Sequence, residues 1–234
     1  MLRNVTSAKA SPIYLDLLQM SSPDDQFFAV WGIDLIGSLP TGKGGIKYAI
    51  VAVDYFTQWV KAEPLATITS KKTLDFVIKN IVCRYRLLRK IVSDNGLEFD
   101  NEVFTDFCQR HGVLKSFSSV AHLQENGQVE AVNKMLKASL KKMLEQAKGA
   151  WPMELPRALW SYHITARTST GHSLFSMAYG YKAMLSVEAA ISTHRWDTYD
   201  PTTNLALLRE SLDLVEELCE ASQLRVSSYQ QKVA

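Results

Sequence analysis

Residues 46–56 read IKYAIVAVDYF. A run so apolar and so rich in β-branched side chains, closed by an aspartate, is the pattern of a strand buried on both faces. It has a similar neighbour on each side. VWGIDLIG (30–37) precedes it across SLPTGKGG, a turn-rich loop with three glycines. TQWVKAEPL (57–65) follows after a tight connection. Links this short join antiparallel strands, so the chain is predicted to begin its fold as a three-strand meander.

The pattern then changes period. Thr69 or Ser70 caps a helix to about Tyr85, with Leu74, Val77, Ile78, Ile81, Val82 and Tyr85 on one face. LRKIVSD (88–94) is a fourth strand. Asn101 caps a second helix, with Val103, Phe104, Phe107 and Cys108 inward and Gly112 as its stop. VLKSFSS (113–119) is a fifth strand, and a helix runs from about Gly127 to Lys148. Pro152 opens the next helix, through His163. ARTSTGHS is a loop, and residues 173–180 form a short helix. The tail from Leu205 has apolar or small side chains at 205, 208, 212, 215, 219, 222 and 226, a heptad seam on a long helix. The expected class is therefore α/β: a mixed five-stranded sheet with helices on both faces, plus a long C-terminal helix. Trp31, Tyr55, Trp59 and Phe99 are expected to pack around that sheet.

Composition constrains partners only weakly. Twenty-six basic and 24 acidic side chains leave a formal charge of +2, which neither demands nor excludes a nucleic acid. Cys83, Cys108 and Cys219 match no zinc spacing and read as reduced thiols of an intracellular protein. MLRNVTSAKASPIY lacks the apolar centre of a signal peptide, and no apolar run approaches the roughly 20 residues of a membrane span.

One feature does not fit a plain core. Asp34 interrupts an apolar strand between Ile33 and Leu35, where an isolated charge is costly unless it is paired or metal-bound. Asp94 ends the fourth strand before Asn95-Gly96. Glu130 lies about one turn into the helix after Asn126-Gly127. Any one of these has an ordinary reading as a turn, cap or helix-dipole acid, which is how Asp54 and Asp100 are read. Together, two strand ends and one helix start can converge at one edge of a sheet. Three carboxylates there repel each other unless divalent cations neutralise them, and hard oxygen ligands suit Mg²⁺. Two such ions activate an attacking oxygen and stabilise the leaving oxygen of a phosphodiester.

The spacing carries a resemblance. Between Asp34 and Asp94 lie 59 residues, and between Asp94 and Glu130 lie 35. This resembles the D,D-35-E signature of retroviral and retrotransposon integrases. WGIDLIGSLP, VDYFTQWVKAEPL, IVSDNGLEF, FCQRHGV, NGQVEAVNKMLK and FSMAYG resemble the integrase of Ty3/gypsy-type LTR retrotransposons, most specifically over residues 31–139. The resemblance implies a ribonuclease H-like catalytic core over 27–190. It implies a polynucleotidyl transferase for DNA 3′-end processing and strand transfer. It makes Asp34, Asp94 and Glu130 the catalytic ligands of two Mg²⁺ ions, with Mn²⁺ able to substitute. The partners would be element ends and target DNA, in a homo-oligomer acting in the nucleus, with no membrane and no small-molecule substrate.

On the helix of Glu130, Val129, Val132, Leu136, Leu140 and Met143 form the expected core stripe. Lys134, Lys137 and Lys141 follow Glu130 on or near its own face, where lysines hold a phosphate backbone; the alternative is a solvated face. The resemblance also implies that Asn126, Gln128 and Asn133 lie near substrate. His122 has no ligand-spaced partner and is not read as a metal ligand.

The chain also departs from the family. Residues 1–26 read as a flexible arm beside a zinc-binding domain that does not precede the core, and 191–234 as a linker and heptad helix with no complete DNA-binding domain after it. Ser38, Leu88, Leu123, Leu174 and Ser186 stand where the family usually has proline. This is the expectation for a truncated or decaying copy, whose proline losses loosen loops. The alternative function is an inactive or co-opted DNA-binding or assembly module.

Overall fold

The computed structural model describes residues 28–85, 88–94, 96–117, 138, 141–168, 170–185, 188, 191, 194–215, 217–219, 221, 222 and 225. The strands are β1 Val30–Ile36, β2 Tyr48–Asp54, β3 Val60–Leu65, β4 Lys90–Ser93 and β5 Leu114–Phe117, in one sheet of order β3-β2-β1-β4-β5. β1, β2 and β3 pair antiparallel, the expected meander, while β4 pairs parallel with both β1 and β5. The α-helices of six or more residues given bounds among the described residues are α1 Ser70–Val77, α2 Glu102–His111, α3 Trp151–Ile164, α4 Leu174–Tyr179 and α5 Pro201–Asp213. Among the described residues, no helix is long and apolar enough to cross a membrane.

Strand alternation divides the interior into two cores. Trp31, Ile33, Ile50, Ala52 and Ile91 pack with Phe76, Val77 and Ile81, with Phe104 and Phe107 of α2, and with Leu174 and Ala178 of α4. The opposite parity, Ile36, Ala49, Val51, Val53 and Val60, packs with Leu144 and with Trp151, Leu155 and Ala158 of α3. Helices thus cover both faces. Trp151 sets the second core by donating its Nε1–H to Pro40 O at 2.7 Å. Trp31, Trp59 and Phe99 are buried as expected, and Tyr55 is half-buried.

The caps are the expected ones. Thr69 accepts from Lys72 N at 3.3 Å, Asn101 accepts from Phe104 N at 3.0 Å, and Gly112 closes α2 in the left-handed conformation. The expected face of α1 packs on the first core, with Val77 buried and Leu74 partly buried, and Thr73 and Phe76 turn inward beside it. The helix gives way at Ile78 to a π-helical turn, Ile78–Val82, that buries Asn80 and Ile81. Val103 of α2 is exposed, because the buried face is centred on Phe104, Phe107 and Cys108 and a neighbouring residue points about 100° away. For the same reason Met143 is exposed and Leu144 fills the core instead. Leu88 and Leu174, expected only to loosen loops, are both buried in the first core. Their side chains contribute apolar burial there beside any entropic cost of losing proline.

The heptad seam is used over half its length. Leu205 is exposed, whereas Val215 and Cys219 are buried against Met177, with Leu212 and Phe56 at the margin. The tail therefore folds back on its own domain. It passes α4 where Gly180 holds φ 79°, and a Cβ there would lie 2.1 Å from Ser211 O and 2.8 Å from Val215 Cγ2. Gly180→Ala is expected to cost about 1–3 kcal/mol and to speed alkylation of the buried Cys219. Unchanged Cys219 labelling, read by peptide mass spectrometry, would show that the tail is held from elsewhere.

Candidate active site

Asp34 lies within β1 opposite Val51 of β2. The parallel ladder between β1 and β4 has Ile33 and Ser93 as its last pair. Asp34 and Asp94 come one residue later, side by side on neighbouring strands, which run about 4.8 Å apart. The ladder between β4 and β5 also ends at Ser93, paired with Phe117. Asp94 is thus the first residue beyond both of its ladders, while β1 continues against β2 as far as Ile36. By strand alternation the two carboxylates share the parity of Ile36 and Val92. This is the face on which Leu144 packs, downstream of Glu130 in the chain.

Asp34 is half-buried and Asp94 is exposed. Asp34 Oδ1 accepts from Leu35 N at 2.6 Å, and Asp94 Oδ1 accepts from Gly96 N at 3.4 Å. Like charges at adjacent strand ends repel, and a divalent cation between them removes that repulsion. Two hard anionic oxygen donors suit Mg²⁺ or Mn²⁺. Among the described residues no group of three or more His, Cys, Asp or Glu side chains gathers at metal-binding range. The structure brings together two of the three expected ligands. Glu130 lies outside the described residues, as do His122, Leu123, Asn126, Gln128, Asn133, Lys134 and Lys137. Lys141 is described; it is exposed, with Nζ 3.8 Å from Glu145 Oε1.

The segment after Asp94 is wound tightly. Phe99 N and Asp100 N both donate to Gly96 O at 2.9 Å. The Glu98 carboxylate folds over Gly96, where a Cβ would lie 2.7 Å from its Oε1. Phe99 is fully buried and meets Phe104 edge-on at 6.0 Å. Asn101 does more than cap α2: its Nδ2 donates to Leu97 O at 3.1 Å and Glu98 O at 2.9 Å. Lys115 of β5, not singled out in the sequence, bonds Asp100 Oδ1 at 2.8 Å and Thr105 Oγ1 at 3.1 Å. The only signal for it was a lysine in an otherwise strand-like run.

The titratable groups most perturbed lie elsewhere. Asp54 pairs with Trp31, toward the opposite end of β1 from Asp34, and is the turn residue it was expected to be. Its Oδ2 accepts from Thr57 N at 2.8 Å and Thr57 Oγ1 at 2.7 Å. Complete burial raises its pKa to about 7, against the opposing pull of the Thr57 hydroxyl and amide. Burial lowers His163 to about 4, helped by the nearby charge of Lys61. Its ring stacks on Trp59 at 3.8 Å, with Nε2 3.0 Å from Val60 O. Both are packing groups that close the β2–β3 hairpin.

Comparison with known proteins agrees with this arrangement. The family model described as "Integrase core domain" matches residues 24–122. The Gag-Pol polyprotein of avian reticuloendotheliosis virus is 35% identical over 155 residues, covering 65% of this chain and 13% of that protein. The Gag-Pol polyprotein of gibbon ape leukemia virus is 31% identical over 142 residues, covering 60% of this chain and 8% of that protein. The retrovirus-related Pol polyprotein from transposon 412 of Drosophila melanogaster is 22% identical over 148 residues, 63% of this chain and 12% of that protein. The chain thus corresponds to a small part of each of these polyproteins.

Proposed function

The chain carries an integrase core of the retroviral type, and from that premise we propose that it is the catalytic core of a Ty3/gypsy-type retrotransposon integrase. It would act as a metal-dependent polynucleotidyl transferase in DNA 3′-end processing and strand transfer. The observation that carries this is the placement of Asp34 and Asp94, each one residue beyond Ile33–Ser93, the last pair of the β1–β4 ladder.

Asp34, Asp94 and Glu130 would hold the metal. Two divalent ions supply, when bound, activation of the attacking oxygen and stabilisation of the leaving oxygen at a phosphodiester. The protein's part is placement. β2 pairs with Asp34 and β4 with its strand as far as Ile33, while the wound turn 96–100 would set Asp94. Lys134, Lys137 and Lys141 would bind the phosphate backbone, and Asn126, Gln128 and Asn133 would line the DNA near the reacting bond. Element ends and target DNA are the partners, in a homo-oligomer that acts in the nucleus. Residues 27–190 would be the catalytic core, 1–26 an arm, and 191–234 a linker and long heptad helix.

The test is the reverse of strand transfer, rejoining of a branched DNA with Mg²⁺ or Mn²⁺, which asks for the core alone. Metal-dependent rejoined product is expected. Folded protein that gives no product, and whose melting temperature does not rise with metal, would overturn the catalytic reading in favour of an inactive DNA-binding or assembly module.

A further inference from the structure

Asp34 is held in the β2 ladder opposite Val51, but Asp94 has no ladder beyond Ser93. Its position depends on the turn that follows, and that turn is fastened at three points. Phe99 anchors it in the core, Asn101 clamps the carbonyls of Leu97 and Glu98, and Lys115 reaches it from β5. The third fastening is the unusual one. The Lys115 side chain is only 13% exposed, and its Nζ lies 4.8 Å from the Phe117 ring centroid. An ammonium withdrawn from water this far needs compensation. It receives it from Asp100 of the turn and Thr105 of α2 together. Ile91 is the register partner of Lys115, so the lysine stands beside β4 three residues before Asp94.

Resting on the integrase reading above, we infer that Lys115 is a positioning residue for the metal site. It acts through Asp100 to lock the 96–100 turn and so fixes where the Asp94 carboxylate sits. A simple surface ion pair contributes little, but this pair joins the edge strand, the turn and the first turn of α2. Outer partners that orient a metal-binding carboxylate commonly change metal affinity by about 10–100-fold when removed.

The experiment is Mn²⁺ titration calorimetry on the full chain, with amide hydrogen exchange of residues 96–101 in parallel. Lys115→Met is expected to weaken Mn²⁺ binding by about tenfold or more and to speed exchange in the turn. Asp100→Asn, at an exposed side chain where folding is not at risk, is expected to do the same. The double variant is expected to be no worse than either single, and Lys115→Arg to recover most of the affinity. Unchanged Mn²⁺ affinity and unchanged turn exchange in Lys115→Met and Asp100→Asn, even with a lower melting temperature, would reduce Lys115 to a structural link. Asp94→Asn separates the two levels. If it leaves the Mn²⁺ heat intact, or if wild type takes up no Mn²⁺, the carboxylate site itself fails and this inference fails with it.

Discussion

Asp34→Asn and Asp94→Asn are each expected to lower metal-dependent DNA rejoining by about 10³-fold while raising the melting temperature of the metal-free protein. The two effects share one cause. Asp34 within β1 and Asp94 just past β4 stand one residue beyond Ile33 and Ser93, and like charges on neighbouring strands repel when no metal lies between them. Removing one charge relieves that repulsion and stabilises the fold. In the proposed site it would also remove an anionic metal donor, and metal stabilisation of a phosphoryl transition state is worth several kcal/mol, or about three factors of ten. A variant that loses activity and stability together would point instead to a structural role for the acid. Melting scans with and without Mn²⁺ decide this: the wild type should gain from metal, and the variants should start higher and gain little.

Asp54→Asn is the second large effect, of a different kind. Burial raises the folded pKa of Asp54 from 3.8 to about 7. The folded state then binds this proton more tightly than the unfolded chain. The resulting stability is fully present below about pH 4 and is lost as pH rises through about 7, a difference on the order of 4 kcal/mol. An asparagine keeps an oxygen to accept from the Thr57 amide and hydroxyl and does not titrate. Urea unfolding at pH 5 and pH 8 is expected to show a marked loss at the higher pH in wild type and a nearly flat response in the variant. Asp54→Asn should be the more stable protein at pH 8. A variant profile parallel to wild type would assign the pH dependence to other groups.

These two aspartates show how far the sequence could be read. Both end or interrupt apolar strands, and the sequence read them apart, Asp34 as a candidate site residue and Asp54 as the turn residue that its bonds to Thr57 make it. It did so only because Asp34 had partners at distinctive spacings. What it could not show was depth. Asp54 is wholly buried, whereas Asp94 is exposed, and no local pattern distinguishes two acids that each follow a β-branched or small residue. Strand runs were legible because two-residue alternation and burial on both faces leave apolar text behind. Helix faces were legible to within one residue. Val103 and Met143 were placed inward and are exposed, whereas Leu144 and Phe76 are buried residues that the expected faces left out. The π-helical turn at Ile78–Val82 left no mark, because its residues continue the same apolar character. Lys115 escaped notice for a further reason: its partners, Asp100 and Thr105, are brought to it by the turn and the helix, not by spacing.

The alternation along Val30–Ile36 also decides which kinds of change a gene for this chain can absorb. Successive residues serve opposite cores, with Ile33 committed to one and Ile36 to the other, and Asp34 set between them. Losing or gaining a single codon between Gly32 and Ile36 would exchange their sides, sending isoleucine to the row of the carboxylates and a carboxylate into the hydrocarbon. A codon lost at Gly44 or Gly45, where a side chain would meet nothing within 4 Å, shortens a turn that serves neither core. Length variation among copies of this gene should therefore collect in the 37–47 connection and be absent from β1. A copy altered in length within β1 should be silent whatever else it has kept.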